Sequence, residues 1–184
     1  MRNHQLRPLV DSLATRFAGI EGRPIRVRFR PLLTESRGKL LSRAGRGQPV
    51  HAGSFIRKRE MVLESELRAA PRELARIFVH EIFHFAWARL GNARRRSFED
   101  LLRSETAAHA RGELGWSAEM IKSRSNGALK AGAWRAYVAE SFCDTAAFIY
   151  AGCRRHEEFT LAPKWRRKRA RWFHESFGRQ VLSI

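Results

Sequence analysis

The sequence predicts an α+β fold: a small N-terminal sheet, a helix carrying His80-Glu81-Ile82-Phe83-His84, and a mainly helical C-terminal part. Three patterns predict it. Ile25, Val27 and Phe29 alternate with Arg26, Arg28 and Arg30, the period of a strand with one apolar and one cationic face. Leu74, Ile77 and Phe78 recur at the helical spacing and lead into the histidine pair. From Ser97 onward the apolar spacing stays helical, broken at glycines. At 184 residues and 43% apolar content, the chain is expected to be a single domain, 1–184, that buries a core of its own.

In order, residues from about Gln5 to Ile20 read as an amphipathic helix through Leu6, Leu9, Val10, Leu13 and Phe17, stopped by Gly22-Arg23-Pro24. The stretch Glu35 to Gln48, with Gly38, Gly45 and Gly47 among polar residues, reads as a loop or long turn. Gly53-Ser54-Phe55-Ile56 and Arg59 to Glu64 form one interrupted strand or two short ones. Pro71 suits a first helical turn and Gly91-Asn92 a stop, so the motif helix spans about Pro71 to Leu90. Ser97 with Asp100 looks like an N-cap opening a helix to about Arg111. A short helix follows from Ser117 and ends before Asn126-Gly127. A long one runs from Ala133 to Ala151, and a basic helical segment with Trp165, Trp172 and Phe173 occupies about 163–184.

Two histidines four positions apart on a helix differ by about 40° of rotation and roughly 6 Å of rise, so both imidazoles can reach one metal ion. Glu81, beside them, is placed to take a proton from a water at that metal without itself being a ligand. The intervening residues Ile82 and Phe83 are apolar, and so are Val79, Phe85 and Ala86. In so apolar a helix two imidazoles and a carboxylate are costly unless paired, hydrogen-bonded or metal-bound. A catalytic zinc site takes three protein ligands, so a partner is needed. Glu140 and Asp144 lie four apart on the long helix with Tyr137 on the same face; Glu140 can ligate while Asp144 reaches a histidine N–H. Glu105, four before His109, is a rival ligand nearer in sequence.

His-Glu-x-x-His followed by Glu-x-x-x-Asp on a second helix resembles the gluzincins, a family of zinc peptidases. The resemblance covers roughly Gly53 to Gly152, and only the two short motifs are specific. It implies a zincin-like fold in which His80, His84 and Glu140 bind Zn2+, Glu81 is the general base and acid, and Asp144 orients His80. It also implies that Gly53, Ser54 and Phe55 belong to an edge strand that pairs with an extended peptide. The spacing from His84 to Glu140 is longer than in many members, with an extra helix between, which keeps Glu105 in play. The expected reaction is peptide hydrolysis, with endopeptidase favoured because no exopeptidase glycine motif appears. Tyr137, Tyr150, His51, His109, His156 and His174 are further candidates for stabilising a transition state.

Composition bounds the alternatives. Cys143 and Cys153 form neither a disulfide framework nor a Cys-x-x-Cys zinc pair. No apolar run is long enough for a membrane span or a signal sequence, so a cytoplasmic location is expected. The net charge of +18 attracts polyanions and equally fits a surface loaded with arginine for solubility. A second functional reading is therefore a basic nucleic-acid-binding protein with the same fold, catalytically quiet or cleaving protein at nucleic acid. In that reading, Trp165, Trp172 and Phe173 either stack on bases among arginines 166–171 or anchor the last helix to the core.

Overall fold

Helix α2 (Pro71–Arg89) runs through the middle of the computed structural model, which describes residues 6–36, 39–42, 47–124, 129–178 and 180–184. Every residue from Phe78 to Phe83 is buried, so this helix is enclosed on all sides rather than amphipathic. Its main partner is the long helix α5 (Ala131–Tyr150). Between and beyond them lie α3 (Asn92–Ala107), α4 (Trp116–Ser123) and α6 (Pro163–Phe177), with α1 (Arg7–Ala14) at the start of the chain. Among the described residues, no helix is long and apolar enough to cross a membrane.

Three small sheets cover the other flank. Strands β2 (Arg26–Arg30), β7 (Glu60–Glu64) and β6 (Ala52–Phe55) form one, in the order β2-β7-β6, with β2 parallel and β6 antiparallel to β7. Val27 pairs with Met61 and Phe29 with Leu63, which sets the buried Met61 and Leu63 toward the helices. Strands β3 (Leu33–Ser36), β4 (Lys39–Ser42) and β5 (Gln48–Pro49) form a second, antiparallel sheet; β1 (Gly19–Glu21) pairs in parallel with β8 (Val181–Ser183). The fold is thus a compact α+β arrangement with small mixed sheets and a mainly helical C-terminal region.

Several expected boundaries move. The first helix ends at Ala14, and the stretch toward Ile20 turns into β1 because its backbone is claimed by the other end of the chain: Ala18 N–H donates to Gln180 O, and Ile20 registers with the fully buried Leu182. The expected basic helical segment at 163–184 therefore stops at Phe177 and finishes as a strand. The stretch expected to be a loop from Glu35 to Gln48 holds paired strands. A Cβ on Gly47 would press on the Glu35 carbonyl and the Thr34 side chain, so that glycine permits strand contact rather than marking a loop. Gly38, Gly45 and the Asn126-Gly127 stop lie outside the described residues, as does the start of the chain. The apolar stretch between Gly53 and Glu64 forms two strands, β6 and β7, joined by a 3-10 turn over Ile56–Lys58.

Helix α3 starts at Asn92, with Gly91 in the cap position, five residues before the expected Ser97. The early start has a tertiary cause. Arg95 in its first turn donates to the Trp87 and Ala88 carbonyls, satisfying the open C-terminal end of α2. Ser97 instead accepts the Trp172 indole N–H at 3.0 Å and ties α3 to α6.

Two interiors hold these helices together. One is aromatic: Phe83 of α2, Phe142 of α5 and Phe173 of α6 are fully buried, with Phe142 and Phe173 stacked at 5.0 Å. The other is ionic. Arg169 of α6 is fully buried and donates to Glu105 of α3 and to Glu113, and Glu113 also accepts from Lys122 of α4 and from the Tyr137 hydroxyl of α5. Burial would lower the Arg169 pKa, but the two carboxylates outweigh it and push it upward. Removing only the cation strands two buried carboxylates. Arg169→Met is expected to cost about 3–5 kcal/mol in urea unfolding, and adding Glu105→Gln with Glu113→Gln to recover most of that loss; an Arg169→Met protein as stable as wild type would show that the network carries no such strain.

Candidate metal centre

Helical spacing brings the site together from two helices. His80 and His84 lie one turn apart on α2 and point to the same side, with Glu81 beside them. On α5, Glu140, Cys143 and Asp144 stand at i, i+3 and i+4, so all three share the face turned to α2. Helix α4 closes one end with Trp116 and Ser117, and β6 closes the opposite wall.

The donor atoms converge. His80 Nε2 and His84 Nε2 are 3.1 Å apart, and Glu140 Oε2 lies 3.3 Å from the first and 3.8 Å from the second. A tetrahedral ion with ligand distances of about 2.0–2.1 Å needs donors about 3.3–3.4 Å apart, so these three atoms form a triangle of fitting size. Cys143, wholly buried, brings its Sγ within 4.8 Å of both histidine donors and is a further possible ligand. The described residues therefore contain a candidate metal-binding site.

Asp144 fixes the orientation of His80. The imidazole Nδ1 donates to Asp144 Oδ1 at 2.8 Å, which leaves Nε2 facing Glu140 and His84. The other oxygen, Oδ2, accepts the Ala118 N–H at 3.2 Å, in the first turn of α4. A Cβ on Gly115 would overlap the Asp144 carboxylate, so glycine before this helix is what allows the carboxylate to reach it. A second carboxylate, Glu158, accepts the Trp116 N–H and pairs with the buried Arg76, itself bonded to Glu73. Helix α4 is thus held at its N-terminus by acids that also touch α2.

The electrostatics favour a positive charge at this point. Burial pulls the His80 pKa down, but the hydrogen bond and charge of Asp144, then those of Glu140, outweigh it and carry the net shift well upward. Burial pulls Glu140 up, while the hydrogen bond from His80, the charges of His84 and His80 and the Ser117 hydroxyl bring it down to about 2. The Cys143 thiol is pushed well up, by burial and then by the charges of Glu140, Asp144 and Glu81. Glu81 is 6% exposed, and its Oε2 has no hydrogen-bond partner. Four buried side-chain atoms share that condition among the described residues, and Glu81 Oε2 is the one whose residue lines the cleft. A buried carboxylate oxygen without a partner, on a residue that lines the same hollow as the converging nitrogens, is compatible with a site built for a cation and a water.

Two adjoining hollows of about 250 and 440 Å³ meet at His80 and Glu81. Gly53 and Ser54 line the larger one, and β6 has β7 on one side and no described strand on the other. Ser54 Oγ donates to the Glu81 carbonyl at 3.1 Å, locking this edge to the motif helix.

Other expected participants are elsewhere. Glu105 is paired with Arg169, which removes it as a rival for the third position, and His109 sits exposed just beyond α3 with φ 54°. Tyr137 gives its hydroxyl to Glu113 rather than to the cleft, and Tyr150 packs on Phe17 and Phe83. His156 faces Glu73, and His174 lies exposed on α6. His51 pairs with Glu64 and lines the smaller hollow. Sequence reasoning missed Cys143, Gly115, Ser117 and the Arg76–Glu158 pair. Cys143 was within reach of the periodicity that found Glu140 and Asp144, since position i+3 shares their face; the others depend on where α4 docks.

Glu140 and Cys143 compete for the place beside the two histidines. Glu140→Ala is expected to lower zinc affinity at least about a hundredfold, Gly115→Ala about ten- to a hundredfold by displacing Asp144, and Cys143→Ala to leave it within a few-fold of wild type. Zinc competition titration of folded, metal-stripped proteins measures all three, and a larger loss for Cys143→Ala than for Glu140→Ala would exchange their roles.

Comparison with protein-family models, with curated proteins and with solved structures returns no match, so the chemistry of the centre rests on its own atoms.

Proposed function

We propose that the chain is a zinc-dependent peptide hydrolase of the gluzincin type, with His80, His84 and Glu140 as the ligand set and Glu81 as general base and acid. The observation that carries this reading is the triangle of His80 Nε2, His84 Nε2 and Glu140 Oε2, with the unpartnered Glu81 oxygen beside it. When bound there, Zn2+ supplies Lewis acidity and brings the pKa of a water toward neutrality.

The chain's own residues do the rest. Asp144 holds His80 in the tautomer that turns Nε2 into the site. Glu81 Oε2, with no competing hydrogen bond, accepts the proton of the attacking water and returns it to the leaving nitrogen. The free side of β6 offers backbone N–H and C=O groups to an extended peptide, which would lie across the larger hollow with its scissile carbonyl near Glu81. Cleavage within a chain is favoured over removal of terminal residues because the sequence carries no exopeptidase glycine motif.

The position of Cys143 supports a second reading. If its sulfur joins the other three donors, four protein ligands close the centre and the metal is structural. Cobalt substitution separates the two, since a thiolate ligand adds an intense near-ultraviolet charge-transfer band that an N2O site lacks.

Glu81→Gln is expected to keep stoichiometric zinc while lowering cleavage of an unstructured protein or a quenched peptide library by about 10²–10⁴-fold. Metal analysis beside the cleavage assay tests this. Cleavage that survives the substitution, or zinc absent from wild type, would end the hydrolase reading.

A further inference from the structure

The charge of +18 is unevenly distributed between interior and surface. Four carboxylates, Glu81, Glu105, Glu113 and Asp144, are buried, against two guanidiniums, Arg76 and Arg169. Exposed cations are spread over much of the chain, and one group of them lies on α3 and α6. These helices lie side by side: Ser97 accepts from Trp172, Lys168 reaches Ser104 at 3.5 Å, and Arg94 donates to Gln180 just past α6.

The structure also sorts the basic stretch of α6 residue by residue. Arg166 is spent on the Leu161 and Phe159 carbonyls, and Arg169 on Glu105 and Glu113. Lys164, Arg167, Lys168 and Arg171 are exposed, and among the described residues none has a carboxylate partner. Lys164, Lys168 and Arg171 stand at i, i+4 and i+7, a single stripe on the helix. On α3, Arg94 and Arg96 are likewise exposed without a carboxylate, while Arg103 is held by Glu99. The outward acids on the two helices are Glu99, Asp100 and Glu175, too few to balance this face.

The aromatic residues of the same stretch are not available to a ligand. Trp165 and Trp172 are 9% exposed and Phe173 fully buried, packed into the core, so they anchor α6 and cannot stack on bases. What is left is a row of exposed cations without a described carboxylate partner, two of them over the Trp165 ring, on a helix anchored to the core. That is the chemistry of phosphate-backbone binding without sequence preference.

We propose that α3 and α6 form a binding face for the phosphate backbone of nucleic acid, engaged through Lys164, Arg167, Lys168 and Arg171 with Arg94 and Arg96 beside them. This face is separate from the metal centre, and it holds whether or not the hydrolase reading does.

The test is fluorescence anisotropy with a labelled duplex of mixed sequence, and a scrambled duplex of the same length, from 50 to 300 mM salt. Wild type is expected to bind both alike, with log affinity falling linearly in log salt. Replacing Lys164, Arg167, Lys168 and Arg171 together by Gln should flatten that slope by about two to three units, at up to about 0.9 for each phosphate no longer neutralised. Single Lys168→Gln and Arg171→Gln variants, too mild to unfold the helix, should each remove just under about one unit. An equal-charge control, Arg23, Arg26, Arg30 and Arg57 to Gln on β2 and in the segments flanking the first sheet's strands, should leave the slope near the wild-type value. Four results overturn the proposal: no wild-type binding at 50 mM salt; a control that flattens the slope as much as the α6 variant; discrimination between the two duplexes by more than about tenfold; or binding to anionic phospholipid vesicles with none to nucleic acid.

Discussion

One carboxylate, Asp144, joins the three helices on which the metal centre depends. Through Oδ1 it receives the His80 ring of α2, through Oδ2 a backbone N–H of α4, and it stands on α5, four residues after Glu140. Buried carboxylates are costly without donors, and here two fixed donors from different elements meet that need. The relative placement of α2, α4 and α5 is therefore coupled to the tautomer of a single imidazole. Gly115 matters for the same reason: the approach of α4 to Asp144 has no room for a Cβ.

Around this link the protein separates its forces. Aromatic packing of Phe83, Phe142 and Phe173 fills the space between α2, α5 and α6, while the Arg169, Glu105 and Glu113 network fixes how α6 meets α3. Moving either partner of the fully buried guanidinium and its two carboxylates would leave a buried charge unpaired, so displacing α6 against α3 is costly. The result is that α6 turns its rings and one arginine inward and its remaining cations outward. Core anchoring and surface charge come from one helical period, which places residues 165, 169, 172 and 173 on one side and 164, 167, 168 and 171 on others.

Much of this is legible in the residues. The helical core elements, the alternation of β2 and the pairing of the α2 histidines with a carboxylate helix follow from local periodicity, and α2 and α5 lie within a residue or two of their expected bounds. Features decided by distant partners are not. Nothing near Gly19 says that it pairs with Val181, and the Ser97 cap is overridden because Arg95 completes the end of α2. Glu105 and Glu140 are indistinguishable as helix carboxylates until their partners are known: one meets an arginine 64 residues later, the other two histidines. Cys143 escapes for a different reason, since cysteine spacing points to a metal only against other cysteines, whereas this thiol comes near the histidines through the helical face that it shares with Glu140.

The polar atoms of α2 set the candidate site apart from the rest of the core. A helix enclosed on all sides gains most by carrying only apolar residues, yet this one buries Arg76, His80 and Glu81. Arg76 is matched by Glu73 and Glu158, and His80 by Asp144 and Glu140. Glu81 breaks the pattern, for its buried Oε2 has no hydrogen-bond partner although the residue lines the hollow. A residue retained only for stability would be expected to have its partner in place, because an unsatisfied buried acceptor costs about 1–3 kcal/mol or more. The residue that carries the unmatched oxygen follows His80 directly and lines one hollow with His84, Glu140 and the edge strand, and that coincidence separates the candidate centre from the fully satisfied Arg169 network.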